Sequence, residues 1–249
     1  MVAVFVTLAI VVPLAACAKD STVSSARSTL PPSITPSPSP TPTPPTFDKT
    51  VLSIDDPTSI WLVVDKLRPL TPPAFAPPDL LNTPVPHLNP PALRTEAANA
   101  MVAMFAAAKA EGAGGMQLQS AYRSYAVQVK GYNGYVASEG KAVADSQSAR
   151  PGFSEHQTGL AADISALPLT CALAACFGQT PQGIWLAANA YRFGFLLRYP
   201  AGKTAVTGFI YEPWHFRYIG VALATEMKRT GVTTLEEFFG LSAAPTYAP

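Results

Sequence analysis

Proline is the residue that most limits what this chain can fold into. There are 26 in 249 residues, and most lie before residue 92. Each fixes φ and removes a backbone donor, so helix interiors and central strands are closed to it. The segment Pro31 to Pro45 contains an alternating run of proline with serine and threonine. Such a stretch buries too little apolar surface to fold and favours extended polyproline II. It would reach about 45 Å at ~3.1 Å per residue. Residues 18–50 are therefore expected to form a Ser/Thr/Pro-rich linker, a folded domain is confined to about 51–241, and 242–249 remain as a C-terminal tail. That domain has enough apolar residues for one sizeable core.

Met1 to Ala18 carries no charge and is mostly apolar. The stretch ends in Pro13 and small residues, as the apolar region of a signal peptide does. Leu14-Ala15-Ala16-Cys17 resembles the bacterial lipobox, in which the cysteine is lipidated and becomes the mature N-terminus. The basic residue that usually precedes the apolar run is missing. Two main readings stand for residues 1–17: a lipoprotein signal with Cys17 as its membrane anchor, or an uncleaved anchor helix; chance placement of one cysteine is the further alternative for Cys17. Both place the domain outside the cytoplasm, at the outer face of the cytoplasmic membrane. A net charge of +1 with 13% charged residues excludes the basic surface that nucleic acid requires. A monomer is expected.

Within the domain, helix and strand signals are mixed, which predicts an α+β fold. Ile60–Asp65 is a short β-branched, apolar run and reads as a strand. Residues 69–91 read as a proline-rich surface wrap, with His87 exposed in it. Thr95 is expected to cap a helix reaching about Lys109. Met116–Ser120 alternates like a half-buried strand and delivers Tyr122 and Arg123 to its end. Tyr125, Gln128, Tyr132 and Tyr135 fall on a following helix that Gly131 and Gly134 weaken. Leu160–Ile164, Phe195–Tyr199 and Gly208–Tyr211 read as strands. Helices are expected from Thr180-Pro181 to Tyr191 and from Ile219 to Arg229. Thr234 and Glu237 form a capping box for a last short helix.

The chain has three histidines. Two lie in Ser154-Glu155-His156-Gln157-Thr158-Gly159-Leu160-Ala161-Ala162-Asp163 and in Glu212-Pro213-Trp214-His215, and each stretch pairs a histidine with a carboxylate. Two neutral imidazoles and one carboxylate suit a zinc ion with one open position, and a further carboxylate beside it could take a proton from water. His156 and Asp163 are seven apart, which is not a same-face helical spacing. Gly159 permits a bend, so a loop histidine and a strand aspartate could converge. Arg123 presents a guanidinium fork suited to a carboxylate; a structural salt bridge is the alternative. Cys171 and Cys176 are expected to pair as a disulfide in an exported chain, with about 2 kcal/mol from so short a loop; two buried free thiols are the alternative.

Ser120-Ala-Tyr-Arg123-Ser, Ser154-x-His156-x-x-Gly159-x-Ala-x-Asp163 and Glu212-Pro-Trp-His215-x-Arg217 closely resemble the VanY-type zinc D-alanyl-D-alanine carboxypeptidases. The resemblance covers roughly Val51 to Leu241 and includes the cysteine pair. It implies a small antiparallel sheet flanked by helices, the hedgehog/DD-peptidase fold. It implies His156, Asp163 and His215 as Zn²⁺ ligands and Glu212 as catalytic base. Arg123 corresponds to the family arginine that engages the substrate carbonyl or carboxylate, and Ser154 and Gln128 to residues touching the substrate's terminal residue. The implied substrates are peptidoglycan stem peptides, from which the C-terminal D-Ala is removed. An L,D-carboxypeptidase, a D,D-dipeptidase or an endopeptidase would use the same site. A wall-binding module with an inactive site is a further reading, against which an intact Glu212 argues.

Overall fold

The computed structural model describes residues 46–248. The expected signal segment, Cys17 and most of the linker lie outside them. From Thr46 onward the chain forms one compact unit. Two short strands, β1 (Leu80–Asn82) and β2 (Ala92–Arg94), pair antiparallel and lead into helix α1 (Thr95–Ala110). Strand β3 (Gly115–Ser120) follows, then helices α2 (Tyr125–Glu139) and α3 (Lys141–Gln147), and β4 (Ala161–Leu167). Helix α4 (Pro181–Asn189), β5 (Phe195–Leu197), a short α5 (Thr204–Thr207), β6 (His215–Tyr218), α6 (Val221–Thr230) and α7 (Leu235–Phe239) complete the order. The main sheet is antiparallel throughout, in the order β3-β4-β6-β5. This is the expected α+β fold.

The core lies between that sheet and α1. Ala97, Met101, Met104, Phe105 and Ala108 recur at helical spacing and are buried. They belong to one apolar cluster with Met116, Leu118, Ile164 and Phe216 of the sheet. A second cluster joins Trp61 and Val63 to Leu223 and Met227 of α6 and Leu235 and Phe238 of α7. Phe47 stacks on Trp61 with ring centroids 5.6 Å apart, so packing begins ahead of Val51. At the other end Ala244 is fully buried, and the Tyr247 hydroxyl accepts a hydrogen bond from the Arg150 amide at 2.8 Å.

Four expectations are corrected. Ile60–Asp65 is buried from Trp61 onward, but it starts in a turn and is not a strand. Three of its carbonyls accept from arginine side chains instead of a neighbouring strand: Arg217 donates to Ile60 and Leu62, and Arg68 to Val63. Gly208–Tyr211 is likewise not a strand; Gly208, at φ +80°, ends α5, and Ile210 donates to the Ser146 carbonyl. The proline-rich wrap holds one short strand, β1, because β2 offers it a partner. Thr95 is the first residue of α1 rather than its cap, since its hydroxyl is used by the Asp79 carbonyl. The caps at Thr180 and Thr234 form as expected, each accepting from the amide three residues on.

Candidate metal centre

The sheet register assembles the site. Asp163 on β4 stands directly opposite His215, the first residue of β6, and opposite Ser120 at the end of β3. His156 arrives from a 3-10 turn, Glu155–Thr158, which ends at Gly159 with φ +68°. A side-chain carbon at Gly159 would lie 2.9 Å from Leu80 Cδ2. Glycine there permits both the left-handed conformation and the close passage that returns the chain to β4.

The imidazoles of His156 and His215 are edge-to-face with centroids 4.9 Å apart. His156 Nε2 is 3.3 Å from Asp163 Oδ2, and His215 Nδ1 is 3.2 Å from Asp163 Oδ1. One ligand atom from each of the three residues lies within 4.8 Å of the others, and all three residues are buried. Asp163 Oδ1 is buried without an aligned hydrogen bond, an arrangement that costs free energy unless something else satisfies it. A cation among these three groups would do so, and the donor set is that of a catalytic zinc site.

Surrounding hydrogen bonds set which nitrogen of each ring faces the centre. His156 Nδ1 lies 2.8 Å from the Ala121 carbonyl. A carbonyl only accepts, so Nδ1 carries the proton and Nε2 is left as a lone pair. His215 Nε2 lies 3.3 Å from Glu155 Oε2, which leaves Nδ1 as the lone pair by the same argument. Ser120 Oγ donates to Asp163 Oδ2.

Glu155 was not among the residues singled out from sequence, although it lies beside His156. It is buried, and its Oε1 accepts from Arg198 Nε at 2.8 Å and Arg217 Nη1 at 3.0 Å. Arg198 also pairs with Glu236 of α7 at 2.6 Å. Burial alone would push the Glu155 carboxyl up, but the two guanidinium groups outweigh it and hold it well below the usual carboxylate range.

Glu212 has the opposite environment. Its Oε2 is 3.9 Å from His215 Nδ1. Burial pushes its carboxyl up to about 8; Asp163 and Glu155 add to this, and His215 and Arg123 oppose it. Burial would lower the His215 ring, but Asp163 and Glu155 outweigh it and raise the ring to about 9. Burial lowers His156.

Arg123 lies at the edge of the cluster, with its side chain 27% exposed and Nη2 3.9 Å from Asp163 Oδ2. Gln128 is fully buried. Its oxygen accepts from Arg123 Nη1 at 3.0 Å and its nitrogen donates to the Ala149 carbonyl at 2.7 Å. The structure thus places Gln128 behind Arg123, as a group that orients the guanidinium. Arg123 and Ser154 line the same cleft, of about 260 Å³, as the three ligand residues and Glu212. Cys171 and Cys176 are bonded to each other. His87 is exposed and away from the cluster, its Nδ1 against the Val85 carbonyl.

The 3-10 turn and the sheet together bring two histidines and an aspartate to one point, with a further glutamate beside them, a set suited to a hydrolytic metal centre. Residues 90–221, more than half of the chain, match the family described as VanY, D-alanyl-D-alanine carboxypeptidase, and the chain belongs to that family. Among curated proteins, YodJ of Bacillus subtilis (strain 168), which carries a carboxypeptidase name, is 44% identical over 147 residues, 59% of this chain. The chain spans about half (53%) of that relative's length. The LdcB LD-carboxypeptidase structure superposes with a TM-score of 0.68 at 39% identity, over 75% of this chain and 88% of that one. A mutant of the vancomycin resistance D,D-pentapeptidase VanY from a VanB-type cassette, in complex with Zn(II), superposes with a TM-score of 0.62 at 31% identity. That match covers 73% of this chain and 99% of the other.

Proposed function

We propose that this protein is a zinc-dependent carboxypeptidase of peptidoglycan that releases the C-terminal D-Ala from stem peptides ending in D-Ala-D-Ala. The observation that carries the reading is the convergence of His156, Asp163 and His215 on one point, with Glu212 alongside. Family membership and the Zn(II) complex of a relative support it. When bound, the cation supplies Lewis-acid activation of water and carbonyl oxygen. Glu212 accepts the proton of the attacking water and returns it to the leaving amine. Asp163 lies between the two imidazoles as the third ligand and accepts from Ser120, so Glu212 is the carboxylate free to titrate. Arg123, held by Gln128, offers its second nitrogen to the oxyanion or to the substrate's terminal carboxylate. Ser154 lines the place of the terminal residue.

Residues 1–17 would export the protein and anchor it through lipidated Cys17, and 18–50 would tether the catalytic domain, which acts as a monomer. The Cys171–Cys176 disulfide supports an extracytoplasmic site. A second reading, L,D-carboxypeptidase, is favoured by the likeness to LdcB. Digestion of purified pentapeptide and tetrapeptide muropeptides, with and without chelator, separates the two. Chelator-sensitive release of D-Ala from the pentapeptide alone is expected. Release from the tetrapeptide alone selects the second reading, and no release from either refutes both.

A further inference from the structure

The cleft that holds the metal cluster has two chemically different parts. Its floor carries the ligand residues, Glu212 and Arg123. Its outer lining includes Leu173, Ala174 and Ala175, from the segment closed by Cys171 and Cys176. Ile210 and Tyr211, which directly precede Glu212, and Tyr135 of α2 share that lining. None of these six side chains is charged. Leu173, Ile210 and Tyr135 are 47%, 38% and 45% exposed. Apolar surface is thus left uncovered at the cleft, where a ligand can cover it.

The loop that presents Leu173 is held in an unusual shape. Cys171 (φ +54°) and Leu173 (φ +50°) are non-glycine residues in the left-handed region, which L-residues avoid. Such residues persist where the surroundings over-determine them, and they concentrate at binding sites. Here the surroundings are the disulfide and the 3-10 turn Ala175–Gln179, whose Phe177 is fully buried. The loop is also fitted to the segment that bears Glu212. A side-chain carbon at Gly178 would come within 2.3 Å of Tyr211 Oη and 3.2 Å of Pro213 Cβ. Glycine at 178 is what lets the two segments meet.

We infer that this disulfide-closed loop, with Ile210 and Tyr211, is the specificity-determining subsite for the residue on the amino side of the scissile bond. It selects an uncharged side chain bearing methyl or methylene groups. The inference rests on the carboxypeptidase reading. In that reading the cluster and Arg123 take up the scissile carbonyl and the terminal carboxylate, both polar. The preceding residue lies in the same cleft; Gln147 and Ser148 line it too, but Ile210 and Tyr211 of the apolar set directly precede Glu212, which places that set beside the scissile bond. A charged side chain would lose water against Leu173 and Ile210 and gain no partner there.

The test uses peptides ending in X–D-Ala, where X is alanine, glycine or aspartate in the chirality that the zinc-loaded protein cleaves. The parent protein should prefer alanine over glycine about tenfold in kcat/KM. In Leu173→Ser that preference should fall to within about twofold through KM, with kcat and zinc content unchanged. Leu173→Arg should raise kcat/KM for the aspartate peptide at least about tenfold, a gain that loss of folding cannot mimic. Unchanged ratios in both variants would overturn the subsite assignment while leaving the carboxypeptidase reading intact. If the parent released D-Ala from none of the peptides, the carboxypeptidase reading would fall and this inference with it.

Discussion

Glu155 and Glu212 approach His215 from its two ring nitrogens, Glu155 at Nε2 and Glu212 at Nδ1. The same side chain is put to two uses by its surroundings. Glu155 has two arginine partners at 2.8 and 3.0 Å and stays ionised, so it can fix the His215 tautomer. Glu212 is buried with no such partner, and its carboxyl is raised to about 8. That value belongs to the metal-free cluster, and a bound cation alongside would favour the ionised form that takes up the water proton. The two roles predict different failures. Glu212→Gln should cut kcat by about 10²–10⁴-fold while zinc affinity changes little. Glu155→Gln should weaken zinc affinity about 10–100-fold and destabilise the fold, because Arg198 and Arg217 lose a buried charge partner. Calorimetric zinc titration of both variants checks this; equal zinc affinity in the two would contradict the assignment.

At the scale of elements, the site depends on the β4–β6 register and on the turn that feeds it. Asp163 and His215 face each other because the two strands pair in one register, and a slip by one residue would send both side chains to the other face. Gly159 sets the entry to β4. Gly159→Ala should cost about 2 kcal/mol from the left-handed backbone and the contacts with Leu80, Arg94 and Pro77. In a domain of this size that is a fall in Tm of about 4–8 °C, readable by thermal unfolding. No change in Tm would show that the turn relaxes freely. This level was partly legible in the sequence. Gly159 between a loop histidine and a strand aspartate, and Pro213 between Glu212 and His215, are local signals, and both turns are present. Ile60–Asp65 misled because an apolar β-branched run reports burial. It does not report who supplies the hydrogen bonds, and here arginine side chains do. Glu155 was invisible for the same reason. Its partners Arg198 and Arg217 are 43 and 62 residues away, and no local pattern marks a glutamate that will be buried between them.

For the whole molecule, the site and the stability of the fold are linked. Arg198 joins Glu155 to Glu236 of α7, and Arg217 joins Glu155 to the carbonyls of Ile60 and Leu62. The metal cluster is therefore tied to both flanks of the domain. Without metal, His215 titrates at about 9 instead of near 6.5. A raised value contributes stability that is present below about 6.5 and lost as pH rises through about 9. Glu212, raised from 4.5 to about 8, has the same sign: its protonated form is favoured in the fold, and that contribution fades as pH rises towards 8. The chelated protein should thus lose Tm between pH 6.5 and 9. Zinc binding displaces the His215 proton, so the difference in Tm between loaded and chelated protein should widen over that interval. A constant difference would contradict the linkage.

The most direct test of the central claim is zinc binding itself. Chelator-stripped protein, titrated with Zn²⁺ and assayed for bound metal, should take up one equivalent, and His156→Ala and His215→Ala should each abolish tight uptake while His87→Ala leaves it unchanged. Full retention of that equivalent in either of the first two variants would show that these imidazoles do not share an ion.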